Sequence, residues 1–486
     1  MSSSRSVVLI VGAGVAGLSA ARRLEENSVE NFLLLEGSQR AGGRVSSQRL
    51  REEEEGEEAP RVELGAQWIH GEKDNVVHEV ARSLHFLPPD DSASVEDSEA
   101  IVIDNEGRLV RDEGKLTQMM MIISSVEEEM AKLTITELMK YESLEDFYKA
   151  RVRLQVEERG LQTDSDFEEL SRLYLDWYGQ LQGSINGWDW KETAAYQNWV
   201  YRECEGNETT TLKPGLSYQQ LIERYAGSVL EKVKFDRLVT RIELEENQVR
   251  VRTSHGEEFL ADYAIITLPL GVLKADHAKL FRPALPDWKQ KAINEMGFGA
   301  NVKIFLIFET KISQMVPGLR PAGFNFLRAG GGEGEDGSAG KWSDGVFGFY
   351  PDQSDPFTLV AWLSGAQARQ AEELGEDEVL EEMSDLVARL LVPAFPQFQP
   401  PRRCLVTSWS SSPLTRGSYS YLSPATPPGT PDLLARPVSQ RLLWAGEASH
   451  PHYFSTVHGA MESGWREADR IRDFLLAAGG PGDEAQ

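Results

Sequence analysis

Gly12, Gly14 and Gly17 stand in a Gly-x-Gly-x-x-Gly spacing, and an acid, Glu36, follows about twenty residues later. Such a set can hold a dinucleotide. Gly12 permits a tight turn, Gly14 lets the backbone approach a pyrophosphate, and Gly17 lets a helix pack closely on a strand. Glu36 is placed to accept hydrogen bonds from a ribose diol. Directly after it, Arg40 and Arg44 flank a Gly42-Gly43 turn, a pattern able to neutralise phosphate charge beside a bulky ligand. A second chemically loaded position is Lys303, alone inside the apolar run Val302-Lys303-Ile304-Phe305-Leu306-Ile307-Phe308. Burying an ammonium is costly unless it is paired or works with bound water, so Lys303 either faces solvent at an edge or serves the chemistry.

The elements that must position these groups follow from patterning. Val7-Val8-Leu9-Ile10-Val11 is a continuous aliphatic run, the signature of a strand buried on both faces. It enters the glycine turn, and Leu18 to Leu24 carries apolar residues at helical spacing, so a helix N-terminus meets the phosphates. Phe32-Leu33-Leu34-Leu35 is a second strand ending at Glu36. From Val76 to Gln220 helical segments dominate, including Met119 to Lys132 and Phe167 to Leu181, and few strand signals occur. Strands resume at Lys234 to Leu244, Val249 to Thr253 and Tyr263 to Thr267. Val346 to Tyr350 and Thr358 to Leu363 read as strands, Asp377 to Leu391 as an amphipathic helix, and Gly330 to Gly345 as a flexible surface loop. The predicted fold class is α/β: a Rossmann-like dinucleotide-binding domain (1–85, 214–280 and 402–478) interleaved with an α+β domain (86–213 and 281–401), with 479–486 as a flexible tail.

Composition bounds the function. At 486 residues the chain exceeds what one core organises. A formal net charge of −27 argues against nucleic acid and suits cationic ligands. No apolar run approaches the roughly 20 residues of a membrane span, and no signal peptide is read. Cys204 and Cys404 make no disulfide framework, so a reducing compartment is expected.

Glu36-x-x-x-Arg40-x-Gly42-Gly43-Arg44 resembles the FAD-binding segment of the flavin amine oxidase superfamily. Gly65-Ala66-Gln67-Trp68-Ile69-His70-Gly71 and Arg416-Gly417-Ser418-Tyr419-Ser420-Tyr421 bring the resemblance closest to the polyamine oxidases, and it covers Val7 to Phe474. The resemblance implies noncovalent FAD, because Ser418 stands where a covalently linking cysteine would lie. It implies that Gly12, Gly14, Ala16, Gly17, Glu36, Arg44, Gly65, Ala66, Gln67, Trp68, Val239, Trp409, Gly446, Glu447, Thr456 and Val457 hold the cofactor. Within that set Val239 contacts the adenine end, Glu447 the ribityl chain, and Thr456 and Val457 the flavin pyrimidine. Lys303 is expected to hold a water at flavin N5, His70 to face the substrate channel, and His70, Tyr419 and Thr456 to meet substrate. No metal is implied. The implied reaction is hydride transfer from a carbon beside a neutral secondary amine of a polyamine, with imine hydrolysis and release of H2O2 after O2 reoxidises the flavin. A small cationic polyamine and O2 are the expected partners of a monomer, with neither nucleic acid nor membrane. A histone-lysine demethylase-like activity and a catalytically silent flavin scaffold are the alternatives. Because Gly482 to Gln486 shows no Ser-Lys-Leu-type tail, a cytoplasmic location is expected, and a peroxisomal one if the native C-terminus differs.

Overall fold

The computed structural model describes residues 5–51, 60–89, 99–110, 112–328 and 340–478. The aliphatic run at the start is the middle of a sheet. Arg5–Val11 pairs in parallel with Phe32–Leu35 on one side and with Glu258–Ile266 on the other, and Val8, Leu9, Ile10 and Val11 are buried. Continuous apolarity suits this place because both faces of the strand are covered. The eight-stranded sheet continues outward through Val249–Thr253, Val239–Leu244 and Phe281–Arg282 on one side and Val233–Lys234 on the other. Leu442–Trp444 adds in parallel to the end of Glu258–Ile266. Helices Val15–Glu26 and Val457–Ala478 pack against each other beside this sheet.

A second, six-stranded sheet runs in the order Arg403–Val406, Asn301–Ile307, Thr358–Ser364, Gly348–Pro351, Pro321–Leu327 and Glu99–Asp104. Helix Ser165–Asn186 lies against its Pro321–Leu327 and Thr358–Ser364 strands, and helices Glu113–Met130 and Leu144–Glu158 pack beyond. Every residue of Asn301–Ile307, Lys303 included, is buried.

Four expectations need correction. Arg403–Val406, placed with the first domain, pairs antiparallel with Asn301–Ile307, so the crossing back follows Val406. Phe281–Arg282, placed with the second domain, pairs in parallel with the first sheet. Strand signals that short carry almost no periodicity, and their partners decide them. Glu99–Asp104 is a strand inside the predicted helical block, made so by parallel pairing with Pro321–Leu327. Trp342–Gly345 is a short buried 3-10 turn and not part of a flexible loop, because the apolar Trp342 goes inward. The remainder of that loop, the acidic run from Glu52 to Glu58 and the tail 479–486 lie outside the described residues. Among the described residues no helix is long and apolar enough to cross a membrane, and Cys204 and Cys404 are free and buried.

Candidate active site

The turn after the first strand is built as its glycines require. Gly12 has φ +109°, a conformation open to glycine, and a Cβ there would lie 2.6 Å from Thr267 Oγ1. A Cβ on Gly17 would sit 2.0 Å from Gly12 O, so Gly17 is set back from the ligand space and serves the packing of helix on strand. At Gly14 the nearest atom to a Cβ would be Gly43 Cα at 4.0 Å, and the helix that starts at Val15 has no side-chain cap. Open backbone and uncapped N–H groups form a cradle for an anion. Glu36 accepts from Ala13 N (2.8 Å) and Ser38 N (2.8 Å), which fixes its carboxylate and leaves lone pairs for a ligand.

Arg44 and Glu447 tie the first and last segments of the chain together. Arg44 Nη1 donates to Glu447 Oε1 (2.9 Å) and Ser418 O (2.6 Å). Glu447 Oε2 accepts from Ser455 N (2.8 Å) and from Ser420 Oγ (2.5 Å). Both Glu447 oxygens are therefore engaged within the protein, and its first job is to hold Arg44. Arg40 donates to the carbonyls of Ala41, Gly43 and Val45, pinning the glycine turn. The Ser418 hydroxyl is buried with no partner among the described residues. An orphaned donor of this kind beside the cradle fits a ligand that brings its own acceptors.

Lys303 and Trp362 stand directly opposite each other on neighbouring strands, so both project from one face of the second sheet. Lys303 Nζ donates to Glu63 O (2.7 Å), Gly65 O (2.9 Å) and Gln67 Oε1 (2.9 Å), and lies 4.6 Å from the centre of the Trp362 ring. All three N–H groups meet protein acceptors. Burial pushes the Lys303 pKa down to about 7 from 10.5, while its three acceptors favour the charged form. Burial likewise raises Glu63 to about 7 and raises Asp352. Trp68 stacks on Trp362 at 5.5 Å, and Trp409 Nε1 donates to Leu64 O (3.2 Å).

One continuous cavity of about 1590 Å³ joins these parts. It exceeds the size of an ordinary drug-sized pocket, leaving room for a dinucleotide and a substrate together. Gly12, Gly14, Ala16, Glu36, Arg44, Gly65, Ala66, Gln67, Trp68, Val239, Trp409, Gly446, Glu447, Thr456 and Val457 all line it, as do His70, Lys303 and Tyr419. Tyr419 contributes its ring, since its hydroxyl donates to Ser184 O (2.5 Å) and accepts from Asn301 Nδ2 (2.6 Å). His70 is exposed and lines the cavity, and the protein packed around its ring lowers its pKa. Its Nδ1 meets Glu208 O at 2.8 Å, so Nδ1 carries the proton and neutral Nε2 is left as an acceptor.

Several lining residues carry no readable signal. Glu203 and Glu208 reach the wall because the segment around them is laced to Ile69–Lys73 by main-chain bonds, Ile69 N to Thr210 O (2.9 Å), Gly71 N to Asn207 O (3.0 Å) and Glu72 N to Glu205 O (2.8 Å). Burial raises the Glu203 pKa, and Glu208, within hydrogen-bond reach, raises it further. Glu208 sits in an Asn-x-Thr sequon, a surface signal that hides a cavity role. Trp362 was legible only as a member of a strand, and Asn301 only as the residue before one.

The residues 15–472 match the family described as flavin containing amine oxidoreductase. The chain is 30% identical to the human peroxisomal N(1)-acetyl-spermine/spermidine oxidase, over 96% of this chain and 94% of that one. It is 28% identical to polyamine oxidase 1 of Oryza sativa subsp. japonica, over 96% of each. It is 30% identical to a lysine-specific histone demethylase 1 homolog of the same plant, over 96% of this chain and 56% of that one. A solved structure of putrescine oxidase bound to putrescine superposes with a TM-score of 0.71 at 18% identity, covering 98% of this chain and all of that one, a likeness of fold. Its glycine cradle, the Glu36 carboxylate fixed beside it and a match over nearly its whole length place this chain in the flavin containing amine oxidoreductase family, with FAD as its cofactor.

Proposed function

We propose that the protein oxidises a secondary amine of a polyamine, with O2 as the final electron acceptor and H2O2, a shorter amine and an aminoaldehyde as products. The observation that carries this is the Glu203–Glu208 carboxyl pair beside His70 on the wall of the same cavity that Lys303 lines. Two carboxylates in contact repel each other, and an ammonium group is the ligand that offsets that repulsion. Exposed Ile185 and Trp199 line the same cavity and suit the methylene stretches between the nitrogens of a polyamine.

Bound FAD supplies the redox chemistry, accepting hydride from carbon and returning the electrons to O2. The chain orients the two partners. The Gly12–Gly17 turn and the uncapped helix N-terminus hold the pyrophosphate, Glu36 the ribose, and Arg44, braced by Glu447, adds positive charge. Trp68, Trp362 and Tyr419 wall the reacting end. The Glu203–Glu208 pair and the His70 Nε2 lone pair receive distal N–H groups. Because His70 offers an acceptor there, an ammonium suits it better than an acetyl oxygen, which favours free polyamines over acetylated ones. The carbon that loses hydride must flank a nitrogen with a free lone pair, so the reacting amine binds neutral while the distal ones bind as cations. We place the enzyme in the cytoplasm as a monomer.

Peroxide release measured with spermine, spermidine, their N1-acetyl forms, benzylamine and a methyl-lysine peptide tests the proposal. Expected is the highest kcat/KM for a free polyamine, lost by at least tenfold in Glu203→Gln/Glu208→Gln, with benzylamine rates unaffected by that change. Benzylamine or the peptide surpassing every polyamine would refute it, and imaging the native gene product with its own C-terminus tests the location.

A further inference from the structure

Lys303 is 4% exposed, and its ammonium spends each N–H on the protein: Glu63 O, Gly65 O and Gln67 Oε1. The first two acceptors are main-chain carbonyls. Arg61–Glu63 is paired with Ser47–Arg49, and Ala66 N donates to Arg44 O (3.2 Å), so that backbone is held on both sides of Gly65. Gln67 is different. It reaches Lys303 through a rotatable side chain on the cavity wall, and its amide nitrogen has no protein partner among the described residues.

We propose that Gln67 is a positioning residue for Lys303, the one movable acceptor of three, whose amide decides whether the third N–H stays on the protein or is released toward the cavity. The proposal rests on Lys303 working at the flavin. An ammonium fills three acceptors, whereas a neutral amine has two N–H groups and a lone pair. When Lys303 loses a proton, one acceptor must be vacated. The carbonyls stay, and the Gln67 amide turns to present its N–H to the lone pair or swings into the cavity. The orientation of Gln67 and the charge of Lys303 are then a single variable. The titratable groups facing Lys303 from neighbouring elements are Glu63 and Asp352, and both favour the ammonium. Neither is altered by changing Gln67, so an effect of Gln67 is separable from theirs.

The test uses substrate-free holoenzyme with 13Cε-labelled lysine, the Lys303 resonance being identified by its loss in Lys303→Met. The pH midpoint is compared in the wild type, Gln67→Leu and Gln67→Glu, with FAD content per chain as the check on folding. Gln67→Leu removes an acceptor of the ammonium and moves the midpoint down. Gln67→Glu sets a carboxylate at the same reach and moves it up by about 1–3 pH units. The same displacement is expected in the pH profile of flavin reoxidation, and none in a Lys303→Met background. Gln67→Glu preserves shape and keeps the test decisive if Gln67→Leu loses cofactor. Coincident midpoints in all folded variants overturn the proposal. Shifted midpoints in an enzyme that turns over no amine uphold it and remove the polyamine reaction instead.

Discussion

Replacing Glu447 with glutamine takes one negative charge out of the seam where the first and last segments of the chain meet. Glu447 is 5% exposed, and its oxygens accept from Arg44 Nη1 (2.9 Å), Ser455 N (2.8 Å), Ser420 Oγ (2.5 Å) and, more weakly, Ser420 N (3.4 Å). A glutamine of the same shape keeps one acceptor oxygen and puts an NH2 group in place of the other. If the NH2 faces Ser420 and Ser455, donors meet a donor. If it faces Arg44, the guanidinium loses its carboxylate, keeps only Ser418 O and meets a buried donor. Either way at least one buried donor is orphaned, and removing one member of a buried ion pair costs about 3–5 kcal/mol. Chemical denaturation of the FAD-loaded proteins should show that loss for Glu447→Gln and a similar one for Arg44→Met. In the double variant the losses should fall short of their sum by about 0.5–3 kcal/mol, because each single change already breaks the pair. Fluorescence of released flavin would follow the same transition. A Glu447→Gln protein that unfolds at the wild-type denaturant concentration with an unchanged slope would refute the reasoning and leave Glu447 as a ligand of the cofactor alone.

Further outcomes follow from other parts of the site. Acid precipitation should leave all flavin in the supernatant, because Ser418 and not a thiol stands where the resemblance puts a linking cysteine; colour in the pellet would show a covalent bond. Lys303→Met should slow flavin reduction or reoxidation in stopped flow by roughly tenfold or more while FAD stays bound. Lys303 also predicts a pH trend. Its folded pKa is about 7 against 10.5 unfolded, so its burial cost is fully present below pH 7. Between pH 7 and 10.5 the unfolded chain holds the extra proton, so thermal melts should show wild type gaining stability relative to Lys303→Met as pH rises. Added salt should lower kcat/KM for polyamines, since exposed charges are screened over about 10 Å at 0.1 M, and a salt-independent rate would count against cation attraction by this acidic surface. His70→Ala should reduce kcat/KM more than FAD content, and equal losses would make it structural.

What the sequence determined by itself is the nucleotide end of the site. A double-faced aliphatic strand, glycines at 12 and 17 that leave no room for a Cβ and an acid at the end of the next strand are local constraints, and local constraints are written in consecutive residues. Lys303 was legible for a related reason, since a charge inside an apolar strand contradicts its own surroundings. Tertiary structure alone decided the rest. Arg403–Val406 joined the second sheet because an edge of Asn301–Ile307 was open to it, and nothing in four residues announces a partner. Glu203 and Glu208 became a facing pair only when main-chain bonds laid their segment along Ile69–Lys73. The third partner of Lys303 came from a side chain more than two hundred residues away in sequence. Contacts between distant segments depend on which surfaces are left to be covered once each local element has formed, and that is a property of the assembled chain.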